Sequence, residues 1–392
     1  MLLNLTSPGT REFSTVHFTT RAIGLEQRVR EKILNIPELP AGFTPAYLTH
    51  ILRGNGCLPT TGTVTQVEHG TVGEGTGMSS ELARLRLAYS GDSGGAPDTV
   101  IAKFLPNNPA NRASALAFNL PEREVRYCAE LDVLTEAVTP RTFHCQLDGD
   151  YFLIVMEDLG DYSVGSQVEG ATLKQTELAI DELAKLHSAF WNKVDTLEWV
   201  PGIANSYHAD ALANGAATGW PNMEANFNVP RSVSQHKTQF LSAIPALQAE
   251  RMAQPITLAH GDFRMENLMY GRQPGQHDIV VIDWQGPLRA RGMFDVSLFL
   301  GQSTKTEVRR THERALLKRY LDGLQSRGVS GIDWDFIWQD YRHCMLYNWI
   351  YTAVVAGTLD TSTEVAQAWM SKMISRHTAA SEDLDVFSLL PD

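Results

Sequence analysis

The sequence predicts an α+β chain: a small antiparallel sheet with one inserted helix, then a larger, mainly helical part. Three observations carry this expectation. Short β-branched or alternating runs crowd between Thr63 and Met156. A single Pro-led, acid-rich stretch at Pro121 interrupts them. After Leu159 the apolar spacing changes from two to three and four, which is the helical period.

Taken in order, residues 1–60 mix short helical patterns with Pro37, Pro40, Pro45 and Pro59, and read as an N-terminal helical extension packed on the next part of the chain. Residues 61–158 hold the strands, and residues 159–392 the helices. Thr63 to Val67 is rich in β-branched residues. Arg84 to Tyr89 alternates, with Leu85, Leu87 and Tyr89 on one face and Arg84 and Arg86 on the other, so it is a half-buried strand. Gly91-Asp92-Ser93-Gly94-Gly95 is a hairpin loop. Thr99 to Leu105 is the next strand, with Lys103 on the face of Ile101 and Leu105. Pro121 opens a helix, where its fixed φ and missing N–H do no harm, and Glu122 and Glu124 suit the positive end of the dipole. Strands over Arg141 to Leu147 and Tyr151 to Met156 come next, joined by Asp148-Gly149. Ala179, Leu183, Leu186 and Phe190 then mark an amphipathic helix on which Asp181 and Lys185 pair. Residues 192–250 hold helices without clear bounds. A short apolar strand runs from Ile279 to Ile282, and the pattern from Thr306 onward is helical again.

Composition bounds the function. The 392 residues allow two or three domains or one two-lobed unit, and 43% apolar with 20% charged residues suits a packed core. A net charge of −12 argues against a nucleic-acid partner and against binding to anionic membrane surfaces. The most apolar stretch, Met345 to Gly357, covers 13 positions and is too short to span a membrane, which takes about 20. The first residues have neither the basic flank nor the apolar core of a signal peptide. Cys57, Cys128, Cys145 and Cys344 have no CxxC spacing, so they read as reduced thiols of a cytoplasmic protein, with no zinc site.

The chemistry concentrates in His260-Gly261-Asp262-Phe263-Arg264-Met265-Glu266-Asn267. A carboxylate and an amide stand five positions apart after a turn-forming glycine, and Asp283 closes an apolar strand twenty-one residues beyond Asp262. Amide and carboxylate oxygens are hard ligands that suit Mg²⁺ shared with phosphates. A further carboxylate that the metal does not consume can take a proton from an attacking hydroxyl. Upstream, the loop from Val72 to Ser80 carries Gly73, Gly75 and Gly77, with Ser79 beside them, where backbone N–H groups could approach phosphate oxygens. Lys103 offers a point charge for those phosphates, and Glu124, with Glu122 as its rival, is placed to pair with it. Met156-Glu157-Asp158-Leu159, at the end of the last strand, is where a linker could meet adenine through main-chain groups.

HGD alone is a weak tripeptide; the whole set in order is restrictive. His260 and His187 read as structural hydrogen-bonding residues. Asp295 reads as a holder of catalytic-loop N–H groups or a helix cap. Arg264 and Glu266 either touch phosphate or substrate, or face solvent. Trp191, Trp199 and Trp220 are core residues or a cage for a quaternary ammonium.

These residues resemble the phosphotransferase family of aminoglycoside phosphotransferases, choline kinases and ecdysteroid-kinase-like proteins, on the protein-kinase-like fold. Three segments are similar to the ecdysteroid-kinase-like branch: Gly73-Glu74-Gly75-Thr76-Gly77 with Ser80 to Arg84, Leu183 to His187 with Phe190-Trp191, and Ile282-Asp283-Trp284-Gln285 with Phe294 to Ser297. The resemblance implies a bilobal kinase using ATP and Mg²⁺ in a cleft between its lobes. Asp262 would be the catalytic base, and Asn267 and Asp283 would hold the metal. Lys103 would contact the α- and β-phosphates with Glu124 as its partner, and Glu157 and Leu159 would meet adenine. The substrate would be a small molecule bearing a hydroxyl. A steroid-like or other hydrophobic alcohol comes first, then a choline-like amine, an aminoglycoside or a hydroxyacyl thioester. Gly261 stands where protein kinases carry Arg, Trp284-Gln285 where they carry Phe-Gly, and no APE motif is found downstream, which argues against a protein substrate. Met78 occupies the place of a third loop glycine. The alternative is a catalytically inactive kinase-like binding protein. A dinucleotide oxidoreductase needs a helix after the glycine loop, and a strand pattern stands there instead.

Overall fold

Five antiparallel strands in the order β1-β2-β3-β5-β4 make the sheet of the first part of the chain. The computed structural model describes residues 35–38, 40–72 and 80–391. The expected phosphate-loop positions Gly73, Gly75, Gly77 and Ser79 lie outside the described residues. Contacts divide the chain into unit 1, residues 1–129 and 141–158, and unit 2, residues 130–140 and 159–392.

In unit 1, α1 (Pro45–Gly54) starts where the Thr44 hydroxyl accepts the N–H of Tyr47 and Pro45 fills the first turn. The strands are β1 (Thr63–Thr71), β2 (Glu81–Ser90), β3 (Thr99–Phe104), β4 (Thr142–Asp148) and β5 (Tyr151–Glu157). On the central strand β3, Val100, Ala102 and Phe104 enter one apolar core with Leu48, Ile51 and Leu52 of α1. The opposite face packs Leu105 with Phe152, Ile154 and Val125. Lys103 has the parity of Leu105, so it points to the second face. Two helices, α2 (Pro109–Ala117) and α3 (Leu120–Arg126), cover the gap between β3 and β4 where the sequence predicts one. The missed helix buries only Ala115, so it has little apolar period to read; its signal is the Asn108 side chain capping Ala110 and Asn111, with Pro109 behind it.

Unit 2 runs β6 (Ser163–Val164), α4 (Leu173–Phe190), α5 (Tyr207–Asn226), α6 (Arg231–Ser234), α7 (Lys237–Arg251), β7 (Thr257–Ala259), β8 (Leu268–Tyr270), β9 (Ile279–Val281) and β10 (Leu288–Ala290). It ends with α8 (Met293–Leu298), α9 (Thr306–Ser326), α10 (Trp334–Tyr347), α11 (Trp349–Thr358) and α12 (Glu364–Asp383). Thr172 and Gln175 close a capping box at the start of α4. The strands form a β6-β8-β9 sheet and a separate β7-β10 pair. The apolar stretch Met345 to Gly357 ends α10 and fills α11, and no described helix is long and apolar enough to cross a membrane.

His377 on α12 is fully buried, stacked 4.2 Å from Trp349, with Nε2 facing the Met345 carbonyl and Nδ1 the Thr352 hydroxyl. Burial pushes its pKa down to about 4, with the Met345 carbonyl opposing. An unfolded histidine, at about 6.5, binds protons first as pH falls, so stability is lost below that value. We expect about 2 kcal/mol of stability lost from this group between pH 7 and pH 5. Urea unfolding of His377→Gln against the parent chain checks it: the variant should have the flatter pH dependence.

Candidate active site

The loop that bears Asp262 is built by alternation. Phe263, Met265 and Asn267 are buried, while Asp262, Arg264 and Glu266 are partly exposed. The apolar members anchor the loop, with the Phe263 ring 5.5 Å from Phe299. The polar members then share the open side. Asp262 is 41% exposed at its side chain, which leaves its carboxylate accessible.

The turn before Asp262 has no freedom. Gly261 has φ +84°, and a Cβ there would lie 1.9 Å from the Gly286 carbonyl oxygen, so only glycine fits. The turn's N–H groups end on one carboxylate. Asp295, at the start of α8 and fully buried, accepts the N–H of His260 at 2.6 Å and that of Gly261 at 3.1 Å. His187 of α4 reaches the same carboxylate through Nε2 at 3.2 Å, and the Tyr320 hydroxyl of α9 holds its Nδ1 at 2.7 Å. Asp295 therefore takes the first of its two expected roles. Burial raises the Tyr320 hydroxyl well above its usual pKa, with the Asp295 charge adding to it, so the hydroxyl stays protonated as the donor.

His260 is fully buried and joins the two halves of the loop. Its Nδ1 accepts the N–H of Asp262 at 3.3 Å, and its Nε2 lies 3.1 Å from the Ile282 carbonyl. The tautomer with the proton on Nε2 satisfies both bonds. It is a structural histidine, as expected from the sequence.

The β8–β9 hairpin sets Asn267 against Asp283. Leu268 pairs with Val281, so Asn267 lies opposite Ile282, whose N–H donates to the Asn267 carbonyl at 3.0 Å. Asn267 Nδ2 donates to the Asp262 carbonyl at 2.8 Å and to Asp262 Oδ2 at 3.0 Å. Asp283 comes after Ile282 in the left-handed region, φ +66°, a conformation that non-glycine residues adopt at a cost. Its Oδ2 accepts from Gln285 Nε2 at 3.2 Å. The structure therefore brings Asp262 and Asn267 into direct contact and places Asp283 beside them. Among the described residues no group of three or more His, Cys, Asp or Glu side chains could hold a metal. Two oxygen ligands with phosphates and water completing the shell is a usual arrangement for Mg²⁺.

In unit 1, Lys103 and Glu124 meet. Lys103 Nζ lies 2.7 Å from Glu124 Oε1, and both side chains are 6% exposed. Glu122, the rival, faces outward and pairs with Arg126 at 3.4 Å. Glu157 ends β5 with its N–H given to the Arg141 carbonyl and its carboxylate accepting the Arg141 N–H. In unit 2, Leu159 packs with Met269 and Val280, and its carbonyl accepts the Tyr162 N–H.

The sequence left Arg264 and Glu266 open. Arg264 Nε lies 3.2 Å from Asp262 Oδ1, its Nη1 3.2 Å from Glu266 Oε2, and its guanidinium 5.5 Å from the Trp369 ring centroid. Burial alone would lower the Arg264 pKa; the charges of Asp262, Glu266 and Asp283 outweigh it and raise it. Trp369 was not anticipated, because a contact from α12 to residue 264 leaves no local pattern.

Residues 74–196 and 204–328 match a single family model, and those stretches include Lys103, Glu124, Asp262, Asn267 and Asp283. The class is that of small-molecule kinases with a hydroxyl acceptor. The family is the ecdysteroid kinase-like family, and the chain belongs to it. A search of curated proteins finds no match. Among solved structures, an ethanolamine kinase of Plasmodium vivax is 12% identical, covering 79% of this chain and 82% of its own, with a TM-score of 0.45. The aminoglycoside phosphotransferase APH(3'')-Id of Streptomyces rimosus, in complex with ADP and streptomycin, is 14% identical over 78% of this chain and 97% of its own, with a TM-score of 0.42. A macrolide 2'-phosphotransferase of Brachybacterium faecium is 13% identical over 81% and 99%, with a TM-score of 0.43.

All three partners of Asp295 are donors. Asp295→Asn keeps the shape but turns an NH₂ group toward an N–H, so we expect about 3 kcal/mol of lost stability. Urea unfolding at pH 7 measures it; an unchanged midpoint would mean that the carboxylate is not what holds the turn.

Proposed function

We propose that the protein transfers the γ-phosphoryl group of ATP, with Mg²⁺, to a hydroxyl of a small molecule, with Asp262 as the catalytic base. The observation that supports this best is the hydrogen-bonded pair of Asp262 and Asn267 with Asp283 next to it across the hairpin. Asn267 spends its NH₂ group on Asp262, so its amide oxygen is the atom left for a cation. That oxygen and the Asp283 carboxylate are hard donors suited to Mg²⁺. When bound, the ion would neutralise charge on the β- and γ-phosphate oxygens. In unit 1, Lys103, held by Glu124, would contact the α- and β-phosphates, and main-chain groups at Glu157 and Leu159 would meet adenine.

Asp262 would accept a hydrogen bond from the acceptor hydroxyl and orient its oxygen toward the γ-phosphorus. As the new O–P bond forms, the bond from phosphorus to the β–γ bridging oxygen breaks and ADP leaves. The hydroxyl proton moves late to an Asp262 oxygen, since the transition state is loose and catalysis is mostly positioning and electrostatics. The acceptor class that the family description favours is a steroid-like or other hydrophobic alcohol. The half-buried Trp369 ring near the site suits an apolar body.

The test is an ADP-release screen across sterols, amino alcohols, aminoglycosides and hydroxyacyl thioesters, run beside Asp262→Ala. We expect one class to raise ADP release, and the variant to lose at least about a hundredfold in kcat. Equal turnover by the variant would remove Asp262 from the mechanism. Nucleotide binding with no turnover on any alcohol would favour an inactive binding protein.

A further inference from the structure

One buried glutamine outside every motif is bonded at each of its four polar groups around the Asp262 loop. Gln167 lies in the segment after β6, 2% exposed. Its side-chain oxygen accepts the Ser303 hydroxyl at 2.9 Å and the Met265 N–H at 3.4 Å, and its Nε2 donates to the Gln302 carbonyl at 2.9 Å. Its own N–H donates to Glu266 Oε1 at 2.9 Å. Its carbonyl accepts from Arg376 of α12, whose other Nη donates to the Val168 carbonyl at 3.0 Å. The segment cannot sit farther out or closer in. The Gly165 N–H donates to the Leu268 carbonyl at 2.9 Å, and a Cβ on Gly165 would lie 2.2 Å from the Met265 carbonyl oxygen.

The other Glu266 oxygen, Oε2, accepts from Arg264 Nη1, and Arg264 Nε faces the Asp262 carboxylate. A continuous chain of hydrogen bonds therefore runs from α12 to the proposed base: Arg376, Gln167, Glu266, Arg264, Asp262. An aspartate that is 41% exposed has rotamer freedom to lose, and Asn267 fixes only Oδ2. Arg264 Nε donates to that same Oδ2 at 3.3 Å and lies 3.2 Å from Oδ1, so the guanidinium holds the carboxylate from a second side. Arg264 itself could swing into solvent but for Glu266 on one side and Trp369 beneath it.

We propose that Glu266 and Gln167 are positioning residues for Asp262: the buried side chain of Gln167 anchors its segment so that its main-chain N–H fixes the Glu266 carboxylate, Glu266 fixes the Arg264 guanidinium, and the guanidinium sets the orientation of the Asp262 carboxylate. This rests on the kinase reading above. It predicts that residues other than the base itself control turnover rather than nucleotide affinity. It also predicts that they act in series, so losing two links costs no more than losing one.

The experiment uses the full chain and Mg·ATP with water as the acceptor, reading ADP release, with Mg·ADP affinity measured by calorimetry. Glu266→Ala, Gln167→Ala and the double variant are compared with the parent chain and with Asp262→Asn. Glu266 is a third exposed at its side chain, so its truncation keeps the fold even where Gln167→Ala does not. Glu266→Ala should lose about tenfold in kcat with KM and Mg·ADP affinity within about twofold, and the double variant should lose no more than the worse single one. Glu266→Gln, which keeps one accepting oxygen, should recover part of the loss. Unchanged kcat in Glu266→Ala, or losses that multiply in the double variant, would overturn the chain while leaving the kinase reading intact. A parent chain that neither binds Mg·ADP nor releases ADP would overturn the kinase reading and this inference with it, and an Asp262→Asn variant at the parent rate would remove Asp262 as the base and overturn this inference alone.

Discussion

Two backbone N–H groups from the turn before Asp262 end on the fully buried carboxylate of Asp295. A buried carboxylate survives only when donors surround it, and buried N–H groups only when acceptors meet them. Each requirement answers the other here. His187 of α4 and, behind it, Tyr320 of α9 complete the set, so two long helices, the first turn of α8 and the loop of Asp262 meet at one ion. Gly261 allows the turn to pass under Gly286. The position of Asp262 is therefore set from behind, by groups that never reach the open side of the loop.

The open side is set by different means. Alternation of buried and exposed residues from Asp262 to Asn267 puts three charged side chains on one surface. The hairpin register then delivers Asp283. These charges sum to negative, with Arg264 the single positive member. A divalent cation with a triphosphate suits such a surface better than a free anion would, because the bare carboxylates would repel phosphate. The left-handed backbone of Asp283 fits that picture, since strain of this kind persists where surrounding structure holds it.

Much of this was legible in the sequence because it rests on local rules. The parity of Lys103 with Leu105 set its face, and the helix from α3 was placed to meet it; Glu124 rather than Glu122 turned inward. The strand Ile279 to Ile282 and the spacing from Asp262 to Asn267 carried the hairpin geometry. Asp295 was readable as a holder of N–H groups. The helix α2 was missed because it buries almost nothing and so leaves no periodic signal. Gln167 and Arg376 were invisible for another reason: their contacts span 99 and 209 residues, and no local pattern encodes such a partner. The alternation around Arg264 and Glu266 was present in the sequence and would have placed both on the side of Asp262.

The central claim is that oxygens of Asn267 and Asp283 hold a divalent ion together with a nucleotide. Mn²⁺ takes the same oxygen ligands as Mg²⁺ and relaxes the protons of its bound water. The direct measurement is water-proton relaxation of the protein with Mn²⁺ and ADP, for the parent chain, Asn267→Ala and Asp283→Ala. The account expects an enhancement that needs ADP and falls sharply in both variants. An enhancement of equal size in all three chains would contradict it.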